Sequence, residues 1–154
     1  MDFQTAVRTC LQKYVTFEGR ATRPEYWWFV LFSVGVVLVL GILGGLFGAV
    51  LLMVLGLALL PPGVAAAARR LHDTGRSGWW QLGPAVPNLL GELVGSDSLF
   101  GILLGIVGLG FSLVLIWWLA SPGDPAANAY GPPPGIQTWV TPPPPAGTGD
   151  GNWR

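Results

Sequence analysis

The 154-residue chain has few charged residues, one cysteine and one histidine. Only 10% of its residues are charged, whereas a soluble globular domain carries about 25%, so an ordinary cytosolic protein is excluded. Eight basic and eight acidic residues give a net charge of zero, without the basic excess that attracts nucleic acid. Cys10 cannot form an internal disulfide, and with one histidine it cannot build a zinc site. We therefore predict no nucleic-acid partner, no metal and no cofactor.

Long uncharged segments predict helices that span a membrane. The 43 residues from Tyr26 to Ala68 carry no charge, and because a span needs about 20 apolar residues, two spans fit there. Glycines near the middle predict a reversal, since glycine accepts the positive φ of a tight turn, although Gly-xxx-Gly helix packing explains the same residues. Pro61 and Pro62 are expected to kink or end the second helix. The glycines concerned are Gly41, Gly44, Gly45 and Gly48.

Two further apolar segments complete the predicted membrane domain. Leu99 to Ala120 form an uncharged run of 22 residues, a clear span. Trp79 to Val94 contain two prolines and one glutamate, which indicates either a short span or a re-entrant segment. We therefore predict an all-α, polytopic transmembrane helical bundle over residues 1–120, followed by a tail over 121–154. The four spans are expected at about residues 25–43, 46–68, 79–94 and 99–120.

Basic residues and tryptophans predict the orientation of the bundle. The loop expected between the third and fourth spans holds only Glu92 and Asp97, so the positive-inside rule places both termini in the cytoplasm. Four spans also bring three tryptophan pairs to the cytoplasmic interface, whereas three spans would separate them. The pairs are Trp27/Trp28, Trp79/Trp80 and Trp117/Trp118, and the basic residues are Arg8, Lys13, Arg20, Arg23, Arg69, Arg70 and Arg76.

The two flanking segments differ in character. Residues 3–17 show the helical spacing of one apolar face, with Asp2 as N-cap, and predict an amphipathic helix. This helix lies in the membrane interface or packs on the spans, because both need the same pattern. The tail over 121–154 contains nine prolines and six glycines. Most of it is expected to be a disordered or polyproline II linker, with a polyproline-recognised ligand as the alternative.

A first motif, residues 17–29, predicts how the first span begins. Thr22 and Glu25 have the spacing of a capping box, in which the hydroxyl accepts a backbone N–H and the carboxylate reaches back. Pro24 is tolerated in the first turn of a helix. Gly19 is the expected hinge between the surface helix and this span.

A second motif, Arg-Arg-Leu-His-Asp-Thr-Gly-Arg-Ser-Gly-Trp-Trp over residues 69–80, is the densest cluster of polar chemistry in the chain. Together with Tyr-Trp-Trp-Phe at 26–29 and Asn-Ala-Tyr-Gly-Pro at 128–132, it resembles the bacterial integral membrane family catalogued as domain of unknown function 805. The resemblance covers roughly residues 3–132. It implies a small multi-span protein of the bacterial inner membrane without an established activity, substrate or cofactor, so it assigns no catalytic residue.

The arginines and tryptophans of these motifs suggest a binding or scaffolding module. Guanidinium groups bind phosphate bidentately and stack on aromatic rings, so a basic ring at the cytoplasmic face could hold anionic lipid headgroups or an acidic protein partner. Alternatively, the arginines only set the orientation while Asp73 and Glu25 pair with them. Small residues of the last span permit close helix contact within the chain or in a homo-oligomer. The candidate headgroup site comprises Arg20, Arg23, Arg69, Arg70, His72, Asp73, Arg76, Trp79 and Trp80.

Two other functions have weaker support in the sequence. A transporter or channel subunit should carry polar residues inside its spans, and Asn88 is the notable one here. A membrane-face enzyme could use His72 and Asp73 with Ser77 as nucleophile, but adjacent residues do not face each other on a helix. We therefore expect no enzymatic activity.

Overall fold

The computed structural model describes residues 1–135, and these form an all-helical molecule. Within this range no β-strand is present, apart from one isolated bridge between Asn128 and Gly131. A 3-10 turn over Gly78–Gln81 precedes the fourth helix. The all-α prediction is confirmed. The helices are α1 (Phe3–Gln12), α2 (Arg23–Leu43), α3 (Gly45–Asp73), α4 (Leu82–Val94) and α5 (Leu99–Ala120).

Helices α2 and α3 form one antiparallel hairpin, and α4 and α5 form another. The reversal between α2 and α3 lies at Gly44 and Gly45, whose φ angles are 59° and 65°. Because only glycine adopts such angles without strain, the predicted glycine turn is confirmed. The second reversal occupies residues 95–98. Both reversals lie at one end of the bundle, which we call the turn end.

At the opposite end, which we call the arginine end, the two hairpins pack against each other. Leu71 of α3 and Leu119 of α5 are buried together with Ala67. Trp80 and Trp118 meet edge to face there, with ring centroids 5.2 Å apart. Trp27 and Trp28 lie at the start of α2, so all three tryptophan pairs are at this end, as the sequence predicts.

Three helices, α2, α3 and α5, are long and apolar enough to cross a membrane. Helix α4 has only 13 residues, or about 20 Å at 1.5 Å per residue, and its N-terminal extension is the 3-10 turn rather than α-helix. It still runs antiparallel to α5. Asn88 of α4 lies directly against Gly108 of α5, so close that a Cβ at residue 108 would clash with its amide. Gly108, which has no side chain, therefore permits close contact between α4 and α5 within the chain.

The structure corrects two predicted boundaries. Helix α1 ends at Gln12 instead of residue 17, and Lys13 is its C-cap. Helix α3 continues past residue 68 to Asp73, so of the two effects predicted for Pro61 and Pro62 an end of the helix is wrong. Arg69 and Arg70 therefore belong to its last turns rather than to a polar loop.

The local signals at helix N-termini are largely confirmed. Asp2 caps α1 by accepting a hydrogen bond from the Thr5 amide at 3.1 Å, and Thr22 caps α2 by accepting one from the Glu25 amide at 3.2 Å. Gly19 has a φ of 82°, consistent with the predicted hinge. The reciprocal half of the capping box is absent, because the Glu25 carboxylate binds Arg69 instead.

Helix α1 uses its apolar residues in two ways. Ala6 and Cys10 are fully buried, and Cys10 packs against Phe29 of α2 and Ala66 of α3. Phe3 and Leu11 are 44% and 40% exposed. Helix α1 therefore packs on the spans with one face and leaves an apolar row exposed on another, so the predicted packing is confirmed and the predicted placement in the membrane interface stays a prediction.

The first part of the predicted tail, residues 121–135, packs against the arginine end, and we call it the docked segment. The Asp124 amide donates to the Asp73 carbonyl at 2.7 Å, and the Asn128 amide group donates to the His72 carbonyl at 2.9 Å. The sequence does not predict these contacts. The second proline run, Pro142 to Pro145, lies outside the described residues.

Candidate functional site

The arginine end contains a buried network of charges that joins four parts of the chain. Asp73, the last residue of α3, is 4% exposed and binds two arginines with its carboxylate. Arg20 lies 2.8 Å from one oxygen of this carboxylate, and Arg70 binds the other. Buried ion pairs of this kind depend on hydrogen bonds to their remaining donors, because each charge has lost its water.

Backbone carbonyls satisfy the remaining donors of these two arginines. Arg20 donates to the carbonyls of Ala126 at 2.8 Å, Gly131 at 3.3 Å and Asp124. Arg70 donates to the Leu119 carbonyl at 2.9 Å and to Ser121. The last carbonyls of a helix have no donor within the helix and carry partial negative charge. The ends of α3 and α5 therefore complement the arginine charges.

Arg69 connects the loop after α1 to the start of α2. Its side chain is fully buried, lies 3.1 Å from the Glu25 carboxylate and donates to the Thr16 carbonyl at 2.6 Å. Its Nε has no hydrogen-bond partner among the described residues. The Cys10 thiol lies beside this ion pair, 4.0 Å from an Arg69 nitrogen. Burial together with the Glu25 charge raises the pKa of the thiol to about 11.

The predicted headgroup ring is therefore wrong for Arg20, Arg69 and Arg70, which are 7%, 0% and 0% exposed. The alternative, in which Asp73 and Glu25 pair with the arginines, describes their contacts. The physical reason is that helix α3 continues through the Arg-Arg pair, which turns both side chains into the bundle.

The other predicted site residues lie at the periphery of the network. Arg23 is exposed and donates to the Ser121 carbonyl at 2.9 Å. Arg76 lies over the ring of Trp118, 4.7 Å from its centroid, while Trp79 is 78% exposed and Trp80 45%. The structure thus separates an internal set of arginines from an external set of cations and aromatic rings.

His72 and Asp73 do not form a catalytic pair in this arrangement. His72 Nδ1 lies 3.1 Å from the Gly19 carbonyl, and its ring stacks on Tyr130 with centroids 3.8 Å apart and planes 3° from parallel. Asp73 faces the arginines instead. Among the described residues, no group of three histidine, cysteine or acidic side chains is arranged to hold a metal ion.

Sequence reasoning missed the docked segment as part of this site. Gly123 lies so close to the Asp73 carboxylate that a Cβ at this position would overlap it. Asn128 and Tyr130 contact His72, and both belong to the Asn-Ala-Tyr-Gly-Pro motif. That motif was the available signal, because its polar and aromatic residues interrupt a segment otherwise rich in proline and glycine.

Comparisons with known proteins identify the family of the chain. The family described as "Protein of unknown function (DUF805)" matches residues 14–132, a range that holds the whole buried network. The inner membrane protein YhaH of Escherichia coli K12 is 34% identical over 134 residues, which cover 82% of this chain and 93% of that protein. The inner membrane protein YhaI of the same strain is 47% identical over 87 residues, 54% of this chain and 73% of that protein. No solved structure matches the chain. The chain therefore belongs to the DUF805 family of membrane proteins.

Proposed function

We propose that the protein is a binding module of the inner membrane that contacts anionic lipid headgroups at its arginine end. The positive-inside rule directs this end to the cytoplasm, because Glu92 and Asp97 are the charged residues near the turn end. The buried arginines hold the helices together, so the lipid contact belongs to the exposed cations Arg8, Lys13 and Arg23.

The outer face of α1 supplies the observation that carries the proposal. Phe3, Val7 and Leu11, spaced by four residues, line an open groove of about 600 Å³ together with Phe32 of α2. Arg8 lies at the rim of the same groove. An apolar row beside basic residues is the pattern by which an interfacial helix holds acyl chains and anionic headgroups.

The proposal predicts that two exposed cations, one in α1 and one at its C-cap, control the binding of anionic lipid. The double variant Arg8→Gln, Lys13→Gln should bind phosphatidylglycerol on the order of 30-fold more weakly, because each surface cation contributes about 1 kcal/mol. Native mass spectrometry of the full-length protein, titrated with this lipid, measures the change.

The matched control exchanges the two cations, Arg8→Lys with Lys13→Arg, and should bind as the unaltered protein does. Neither side chain forms a salt bridge among the described residues, so both variants should retain the fold. Unchanged phosphatidylglycerol binding in the glutamine variant would overturn the proposal. An acidic protein partner that binds the same cations in place of the lipid would also overturn it.

A further inference from the structure

A second cavity lies at the arginine end, near His72. It measures about 390 Å³ and is partly enclosed. Its walls come from the loop before α2, from α3, from the 3-10 turn and from the docked segment. The aromatic walls are Phe17, Trp79 and Tyr130, and the apolar walls include Val64 and Leu82.

The 3-10 turn closes one side of this cavity because a glycine allows close approach. A Cβ at Gly78 would lie 2.8 Å from the Cβ of Ala68, so any other residue would displace the turn from α3. The opposite side continues into the surface of the spans, where Val64 and Leu82 are 38% and 48% exposed. The cavity is therefore continuous with the exposed apolar surface of the helices.

One polar atom of the cavity has a defined hydrogen-bonding role. His72 Nδ1 faces the Gly19 carbonyl, so it carries the hydrogen in the neutral ring. Nε2 is then an acceptor. It lies beside Gly78, 3.6 Å from the position of a Cβ there, and has no hydrogen bond within the described part of the chain.

The geometry points to a site for a phospholipid whose headgroup ends in a primary ammonium. Aromatic faces attract a cation that lies over them. An ammonium also donates N–H hydrogen bonds, one of which His72 Nε2 can accept. The acyl chains of such a lipid would extend past Val64 and Leu82 into the bilayer.

The charge balance of the cavity selects this zwitterion over two other occupants. The residues that line it include no carboxylate, so a free amine would bring an uncompensated charge, whereas a zwitterionic lipid carries its own phosphate. An anionic headgroup would find one donor, the Ser77 hydroxyl, and would otherwise face a lone pair and the negative faces of aromatic rings. The inference goes beyond the proposed function, because it concerns a different cavity and a different headgroup.

The test titrates the full-length protein in detergent with short-chain phosphatidylethanolamine and follows bound lipid by native mass spectrometry. Phe17→Leu keeps an apolar side chain but removes one ring, and should weaken binding about two- to fivefold. Phe17→Tyr, the matched control, should bind as the unaltered protein does. His72→Phe keeps the stack on Tyr130 and removes the acceptor. This variant should therefore bind phosphatidylethanolamine only as tightly as the unaltered protein binds phosphatidylcholine, whose headgroup lacks N–H donors.

Three results would overturn the inference. The first is unchanged phosphatidylethanolamine binding in both Phe17→Leu and His72→Phe. The second is equal binding of phosphatidylcholine by the unaltered protein, and the third is displacement of the lipid by free ethanolamine at equal concentration. The glutamine variant of Arg8 and Lys13 should leave phosphatidylethanolamine binding unchanged. The experiments therefore distinguish a failure of this inference from a failure of the proposed function.

Discussion

At the scale of single residues, Asp73 is the centre of the arginine end. Its carboxylate pairs with Arg20 and Arg70, and its backbone carbonyl accepts from the Asp124 amide. Three buried arginines share two buried carboxylates, and backbone carbonyls of the loop after α1, the end of α5 and the docked segment accept further hydrogen bonds from them. Removing one member of such a set leaves a buried charge without compensation, which costs more than the pair itself contributes.

Asp73→Asn should therefore destabilise the protein by about 3–5 kcal/mol in free energy of unfolding. Chemical denaturation of the protein in detergent micelles, followed by tryptophan fluorescence, measures the loss. Asp97→Asn makes the same chemical change in an exposed turn and should stay within about 0.5 kcal/mol of the unaltered protein. Equal stability of the two variants would contradict the central role of this carboxylate.

At the scale of helices, Tyr14 compensates for one of the two prolines through which α3 continues. Pro62 has no N–H to donate to the carbonyl four residues earlier, which is that of Ala58. The Tyr14 hydroxyl donates to this carbonyl. A side chain from the segment after α1 thus replaces the missing backbone donor, as neighbouring groups do for prolines in membrane helices.

Tyr14→Phe should lower the free energy of unfolding by about 1 kcal/mol, because the Ala58 carbonyl loses its donor. In a Pro62→Ala background the same substitution should cost less, since an alanine at this position restores the backbone N–H. A double-mutant cycle on unfolding in micelles measures this coupling. Additive effects of the two substitutions would show that the hydroxyl does not replace the missing backbone donor.

The helix boundaries that the sequence predicted correctly depend on local chemistry. Gly44 and Gly45 provide a turn, and Asp2 and Thr22 provide caps, each within a few residues of the boundary that it sets. The end of α1 at Gln12 depends on a distant residue, because Arg69 binds the Lys13 and Thr16 carbonyls. Periodicity carries no information on such a contact.

The same distinction applies to the candidate site. The density of polar groups in residues 69–80 identifies them as the centre of the site. It does not indicate whether the arginine side chains point into the bundle or to its surface. Burial of Arg20 depends on carbonyls more than 100 positions later in the chain, at Ala126 and Gly131. One sequence without a structure cannot reveal that pairing.

At the scale of the whole molecule, the turn end and the arginine end lie at opposite ends of the helical bundle. We expect the arginine end in the cytoplasm, following the positive-inside rule. In intact spheroplasts a membrane-impermeant maleimide should label Asp97→Cys but not Ala127→Cys, which should react only after the membrane is opened. The unaltered protein should stay unlabelled at pH 7.5, because Cys10 is buried and its pKa is raised to about 11. The reverse pattern would contradict the orientation.

The docked segment also has a consequence for biosynthesis. The ribosome makes residues 121–135 after all the spans, so Arg20 and Arg70 are synthesised long before the carbonyls that accept their hydrogen bonds. We expect the arginines to remain hydrated at the membrane surface during that interval, where their charge would help to fix the direction of insertion. We therefore expect the arginine end to close last, with the same guanidinium groups acting first as topology signals and then as internal cross-links.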